Sequence, residues 1–290
     1  MSDYTLTVLS LGAGVQSSAM LVCSALGGLH GVPRADCAIF ADTGDEPQAV
    51  YDYLEILTKW VEPYGIPVHI VRNGYHSEQS LSVSILRSIE STGSRFASLP
   101  MFTADEDGAG VGMGVRRQCT KEWKIEPIHN KIRTLIGLKK GQRCPPDVRV
   151  RSLIGISVDE AQRMKPSFHK WVDNSYPLVD ARLRRGDCSR IAIEAGLPKP
   201  TKSSCVMCPY HSKKTWVLMK REQPEEFAMA VSFDKATRVQ GRIEKKCYLH
   251  RYCIPLDEAV AVDERQMDLF GELPDEPDHF GNECEGLCGV

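Results

Sequence analysis

Three groups of residues in this chain have the types and spacing to do chemistry. The first is Ser10-Leu11-Gly12-Ala13-Gly14-Val15-Gln16-Ser17-Ser18, placed between the apolar run Leu6-Thr7-Val8-Leu9 and Ala19-Met20-Leu21-Val22. A buried strand that ends in glycines and then opens a helix leaves the first helical N–H groups pointing at one spot, where the helix dipole also favours an anion. Gly12 and Gly14 let the backbone approach a ligand, and Ser10, Ser17 and Ser18 add hydroxyl donors. The turn can therefore hold a phosphate; an ordinary tight connection from strand to helix is the alternative. No Gly-Lys-Ser/Thr follows, and the spacing is not Gly-x-Gly-x-x-Gly, so neither of those two phosphate loops is present.

The second group closes two further apolar runs. Cys37-Ala38-Ile39-Phe40-Ala41 ends in Asp42-Thr43-Gly44, which places a carboxylate and a hydroxyl at the carboxyl edge of a sheet. The run 148–156 passes through Gly155 and leads to Arg163, whose planar fork suits a phosphate or sulfate; an exposed arginine without a partner is the alternative. The third group is cysteine. Cys205-Val206-Met207-Cys208-Pro209 brings two thiolates to one tight turn, as in a zinc knuckle, an iron–sulfur ligand pair or a dithiol couple. His211, three residues on, is either a further ligand or a surface histidine. Cys284 and Cys288 end an acidic arm and look placed to be delivered to a site.

The elements that must position these residues alternate. Strands are expected at 6–9, 36–41, 67–71 and 148–156. Helices are expected after Ser18, after Pro47 (Val50, Tyr53, Leu54 and Leu57 recur at helical spacing), near 81–91, through Ile132 and Leu135, at 188–195 ending at Gly196, and at 215–230. This pattern predicts an α/β fold with a parallel twisted sheet flanked by helices, Rossmann-like, with a cysteine-rich C-terminal part. Gly108 to Gly114, with four glycines at alternate positions, reads as a loop over the site. Trp216, Leu218, Met219, Phe227 and Met229 read as core, and Cys247 and Cys253 as buried structural thiols. Three regions are expected: a nucleotide-binding α/β domain at 1–180, a helical cysteine-motif region at 181–255, and an acidic tail at 256–290.

The bulk numbers set limits. With 290 residues the chain can bury a full core. It shows no run near the ~18 apolar residues of a membrane span and no basic-then-apolar leader, so the expectation is a cytoplasmic protein with no membrane partner. Eleven cysteines, an odd count, then argue for metal or thiol chemistry over a disulfide scaffold. Residues 256–290 carry eleven acidic groups and one basic group, leaving 35 basic against 27 acidic in the rest. A mildly basic body fits a phosphate-bearing ligand or a polynucleotide, and equally a solvated surface.

Taken in order, these motifs resemble the phosphoadenosine phosphosulfate (PAPS) reductase family, of the adenine nucleotide alpha-hydrolase superfamily, over most of residues 5–215. Gly14-Val15-Gln16-Ser17-Ser18 is similar to the family's modified pyrophosphate loop, and Asp42-Thr43-Gly44 to its second nucleotide motif. Cys119, with Lys124 and Ile125-Glu126-Pro127-Ile128 after it, resembles the cysteine and Lys-Val-Glu-Pro segment of the reductases. Gly155, Glu160 and Arg163 stand in a further family element, and Cys205-x-x-Cys208-Pro209 completes the order. The resemblance implies a nucleotide, ATP or a sulfonucleotide, held by Ser10, Gly12, Gly14, Gln16, Ser17, Ser18, Asp42, Thr43, Gly155 and Arg163. It also implies a [4Fe–4S] cluster on Cys119, Cys205, Cys208 and Cys288, and Cys284 as the attacking thiolate.

Departures from the family pattern separate two activities. Gln16 replaces the Asp with which ATP-cleaving members help hold Mg2+, and Cys119-Thr120 replaces the paired cysteines of cluster-bearing reductases. One reading is a sulfurtransferase that uses ATP to insert sulfur into nucleic acid, tRNA or DNA, with a sulfur donor. The other is a PAPS or APS reductase that releases sulfite and needs a thioredoxin-like reductant. A third, non-enzymatic reading is a zinc-stabilised nucleotide-binding protein.

Overall fold

The computed structural model describes residues 4–74, 79–90, 99–105, 112–113, 118–239 and 245–270. In chain order these hold β1 (Leu6–Leu11), α1 (Val15–Ala25), β2 (Cys37–Ala41), α2 (Gln48–Val61), β3 (Val68–Val71), α3 (Leu81–Glu90), β4 (Phe102–Ala104) and β5 (Gly112–Met113). There follow α4 (Glu126–Leu135), β6 (Val150–Ile154), β7 (Val172–Ser175), α5 (Pro177–Asp180), α6 (Arg185–Glu194), α7 (Lys213–Glu222), α8 (Pro224–Ala236), β8 (Lys246–Tyr248) and α9 (Leu256–Phe270). They divide into two compact units: one takes the described residues up to 74 and from 120 to 203, the other those between 76 and 119 and between 204 and 282. The boundaries expected at 180 and 255 are therefore not those of the units. The chain leaves the first unit after β3 and returns at residue 120 to add β6 and β7, so sheet neighbours are far apart in sequence.

In the first unit the order is β3-β2-β1-β6-β7 and every pairing is parallel, which is the expected α/β sheet. Successive strand residues point to opposite faces. Leu9 and Leu11 of β1, Phe40 of β2 and Leu153 of β6 accordingly pack under α1, α2 and α6, while Val8, Ile39 and Val150 pack under Ile128 and Ile132 of α4. Covering both faces is what a wholly parallel sheet requires. Helix α6 ends as expected: Gly196 sits at φ +82°, and the Leu197 amide reaches back to the Ala192 carbonyl at 3.1 Å. Strand β7, Val-Asp-Asn-Ser, went unpredicted because an edge strand this polar has no apolar alternation to read.

Helix α4 carries His129 into a buried position beside the rings of His169, at 4.7 Å, and Trp171, at 6.3 Å. Burial first, and the charge of His169 second, push the His129 pKa down to about 4. The unfolded chain then binds this proton more readily than the native state, so its contribution to stability is complete above the ordinary histidine range and is lost as pH falls from 6.5 towards 4. The expected result is a loss on the order of 2 kcal/mol between pH 7 and pH 5, flattened in His129→Gln; urea titrations at the two pH values measure it.

In the second unit β5-β4-β8 form a small antiparallel sheet, and α7, α8 and α9 pack on one another. The single helix expected over 215–230 is two. Pro224 lacks the amide that would continue α7 and instead starts α8. Trp216, Met219 and Phe227 are buried as expected, whereas Met229 is 55% exposed, on the far face of α8. The acidic tail expected from residue 256 begins as a helix: Leu256, Ala259, Val260 and Asp263 are buried at i, i+3, i+4 and i+7. His250 is clasped there. Its Nε2–H donates to Asp263 at 3.0 Å, its Nδ1 accepts from the Tyr252 amide at 3.3 Å, and the Tyr252 hydroxyl donates to Asp263 at 2.9 Å. With both ring nitrogens engaged, His250 ties the segment between Cys247 and Cys253 to α9. Both thiols are buried, as expected. The expected glycine-rich loop contributes Gly112 to β5; the rest of that stretch lies outside the described residues, as do Cys284 and Cys288. Among the described residues no helix is long and apolar enough to cross a membrane.

Candidate nucleotide site at the carboxyl edge of the sheet

The chain steps from β1 to β2 on one side of the sheet, and β6 is added on the other, so β1/β6 is the point where strand order reverses. Ligands of open parallel sheets bind in the crevice beyond the carboxyl ends of the strands at such a point. The turn after β1 and the residues after β6 meet this crevice. Ala13 takes φ +54°, a left-handed conformation that costs a residue with a Cβ about 1–2 kcal/mol and bends the chain sharply into α1.

Ser17 organises the turn from inside. Its Oγ accepts from the Gly12 amide at 3.2 Å and the Gly14 amide at 3.3 Å, while the Ser18 hydroxyl donates to the Gly14 carbonyl at 2.6 Å. Two of the amides expected to face a phosphate are thus used to shape the loop. Ser17→Ala would leave both without their acceptor and is expected to cost about 1–2 kcal/mol by thermal or urea unfolding. The Ser10 hydroxyl, near the end of β1, is buried and makes no hydrogen bond among the described residues.

Gln16 is fully buried and joins three segments. Its Nε2 donates to Glu160 at 3.4 Å, and its Oε1 accepts from Arg185 at 3.3 Å. Glu160 pairs in turn with Arg163 at 2.6 Å. Both lie on the 3-10 turn Val158–Arg163 after β6, and Arg185 opens α6. Gly155 is the apex of a three-residue turn, closed by the Ile156 amide on the Ile154 carbonyl at 2.9 Å. Arginine, glutamine and the start of α1 are therefore drawn to one point.

Beyond β2, Asp42 is 4% exposed and both its oxygens are engaged. Oδ1 accepts from the Tyr51 hydroxyl and the Gly44 amide, each at 2.8 Å, and Oδ2 accepts from Arg72. Burial and the Asp42 carboxylate push the Tyr51 phenol far up, so it stays a donor. Thr43 receives the Asp45 amide at 3.4 Å and faces Glu46. Glu46, which the sequence did not single out, forms a buried ion pair with Lys124 at 2.9 Å. Lys124 belongs to a π-helical turn, Thr120–Ile125, that runs into α4. Such turns are frequent at functional sites, and the Cys-x4-Lys spacing was the only signal for this one.

No protein-family model matches the chain, and no curated protein does.

Cys205 and Cys208 share a turn closed by the Cys208 amide on the Cys205 carbonyl at 3.0 Å. His211 is buried, not on the surface: its Nε2–H donates to the Cys205 carbonyl at 3.0 Å, and its ring lies edge-on to Trp216 at 4.6 Å. Cys119 is half-buried, immediately before the π-helical turn. Among the described residues no three His, Cys, Asp or Glu side chains converge where they could hold a metal. A four-cysteine cluster needs two thiolates beyond the Cys205/Cys208 pair, and the described donors do not complete the set.

Proposed function

We propose that the protein binds an adenine nucleotide in the crevice beyond β1 and β6 and uses it in sulfur chemistry, as an ATP-dependent sulfurtransferase acting on nucleic acid. The observation that carries the nucleotide reading is buried Gln16, held between Glu160 and Arg185 at the start of α1, at the strand-order reversal. The α1 N-terminus favours phosphate, and Arg163 and Arg185 supply cations with planar, directional donors. The Ser10 hydroxyl, buried and without a hydrogen-bond partner among the described residues, supports the same reading. In this chemistry an acceptor oxygen attacks the α-phosphorus of ATP and expels pyrophosphate, and a sulfur nucleophile then displaces AMP. The sulfur side of the proposal rests on the resemblance to PAPS reductases and on the Cys205/Cys208 turn.

A second reading, sulfonucleotide reduction, is favoured by one feature. The loop presents the Gln16 amide where a magnesium-dependent loop needs a carboxylate, and Asp42, Glu46 and Glu160 are each paired with a cation. Incubation with ATP and with a sulfonucleotide separates the two. Pyrophosphate release supports the transferase; sulfite formed without ATP supports the reductase; calorimetry showing that neither nucleotide binds removes both. Iron, sulfide and zinc content of anaerobically purified protein decides what the cysteine turn holds.

A further inference from the structure

The stretch 163–171, Arg-Met-Lys-Pro-Ser-Phe-His-Lys-Trp, links the 3-10 turn to β7 and is not used by the nucleotide site beyond Arg163. It contains three basic residues, three aromatic side chains and no acid. Within the first unit it borders a cleft of about 660 Å3, whose lining includes Lys121 and Ile125 of the π-helical turn, His129 of α4, and Lys165, Phe168 and His169 of this stretch. That volume falls in the range of small-ligand sites.

Phe168 is 95% exposed, more than any other large apolar side chain among the described residues. Its ring meets His169 edge-on at 5.7 Å, and His169 lies 5.5 Å from Trp171 at 30° and 4.7 Å from His129. A series of rings that ends in one open π-face, flanked by ammonium groups, is the arrangement by which proteins hold single-stranded nucleic acid: bases stack on the rings and phosphates meet the cations.

We propose that this cleft binds a base of a single-stranded nucleic acid, stacked on Phe168 and edge-on to His169, with its flanking phosphates on Lys121 and Lys165. Burial keeps His129 and His169 below the ordinary histidine range, so near neutral pH both rings are uncharged. Glu126, the acidic residue in the lining, sits at the start of α4 and leaves two cations against one anion. Adenine, guanine, cytosine and uracil or thymine all have a stacking face, so weak sequence preference is expected. The proposal supplies an acceptor site for the transferase but does not rest on that reading, since the cleft and the strand-end crevice use different residues.

The test is fluorescence anisotropy of the full-length protein with labelled oligouridylate and oligothymidylate, alongside ATP binding by calorimetry. Phe168→Ala removes an exposed ring and leaves the fold intact. It is expected to weaken oligonucleotide binding roughly 10-fold while ATP affinity stays unchanged. Lys165→Gln is expected to reduce the slope of log affinity against log salt by about one. Preference for the ribo- or deoxyribo-oligomer then identifies which polymer is bound. Absence of binding to either oligomer, or binding that Phe168→Ala and Lys165→Gln both leave unchanged, overturns the proposal. Oligomer binding without binding of ATP or of a sulfonucleotide would sink the strand-end reading and leave this one standing.

Discussion

Lys124→Met is expected to destabilise the protein by about 3–5 kcal/mol, because it leaves the Glu46 carboxylate in the interior without its ammonium partner. Both side chains are almost wholly buried and their polar atoms lie 2.9 Å apart. Taking a charge out of water costs several kcal/mol, and the attraction between partners is what offsets it. Glu46→Gln combined with Lys124→Met removes both charges, so the double variant should regain most of the loss. Urea unfolding of the wild type, the two single variants and the double variant gives the coupling directly. A single-variant loss under about 1 kcal/mol, the size typical of exposed pairs, would show that water reaches the pair. The same substitution loosens the attachment of the π-helical turn to the β2–α2 connection, so nucleotide affinity should fall with stability.

Arg163→Met is expected to lower adenine-nucleotide affinity roughly 100-fold, equivalent to about 2.7 kcal/mol. Two effects act in the same direction. A planar donor for phosphate or sulfate is lost, and Glu160, no longer paired at 2.6 Å, turns its charge on the same phosphate. Glu160→Gln in the Arg163→Met background should recover the second part only. Calorimetry with ATP and with a sulfonucleotide measures both. Arg163 and Glu160 are only 12% and 11% exposed, so the single variant also strands a largely buried carboxylate; urea unfolding of the single and double variants separates that loss of stability from the change in binding. An affinity that moves less than about threefold would exclude Arg163 from the phosphate-binding set.

Much of the first unit was legible in the amino-acid order because its signals are local. A strand, a glycine turn and a helix start within residues 6–25 are set by apolar runs, by missing Cβ atoms and by hydroxyls within reach of nearby amides. The parallel sheet followed from the alternation of such segments. Elements whose signals conflict were read poorly. Polar β7 takes its strand form from pairing with β6; the buried stripe of α9 was masked by acidic neighbours; and the apolar spacing over 215–230 runs on across Pro224, where the backbone starts a new helix.

The site is divided the same way. Sequence alone determined that a phosphate-compatible turn opens α1, that a carboxylate and a hydroxyl close β2, and that two thiols share a turn at 205–208. Only the tertiary structure decided what those groups touch. Gln16 meets Glu160 across 144 positions and Lys124 meets Glu46 across 78. Partners that far apart are chosen by strand order and helix placement, and no short window of residues carries that information. The loop amides are the reverse case: their orphan donors were foreseeable, but that the buried Ser17 hydroxyl takes two of them shows only in the folded turn.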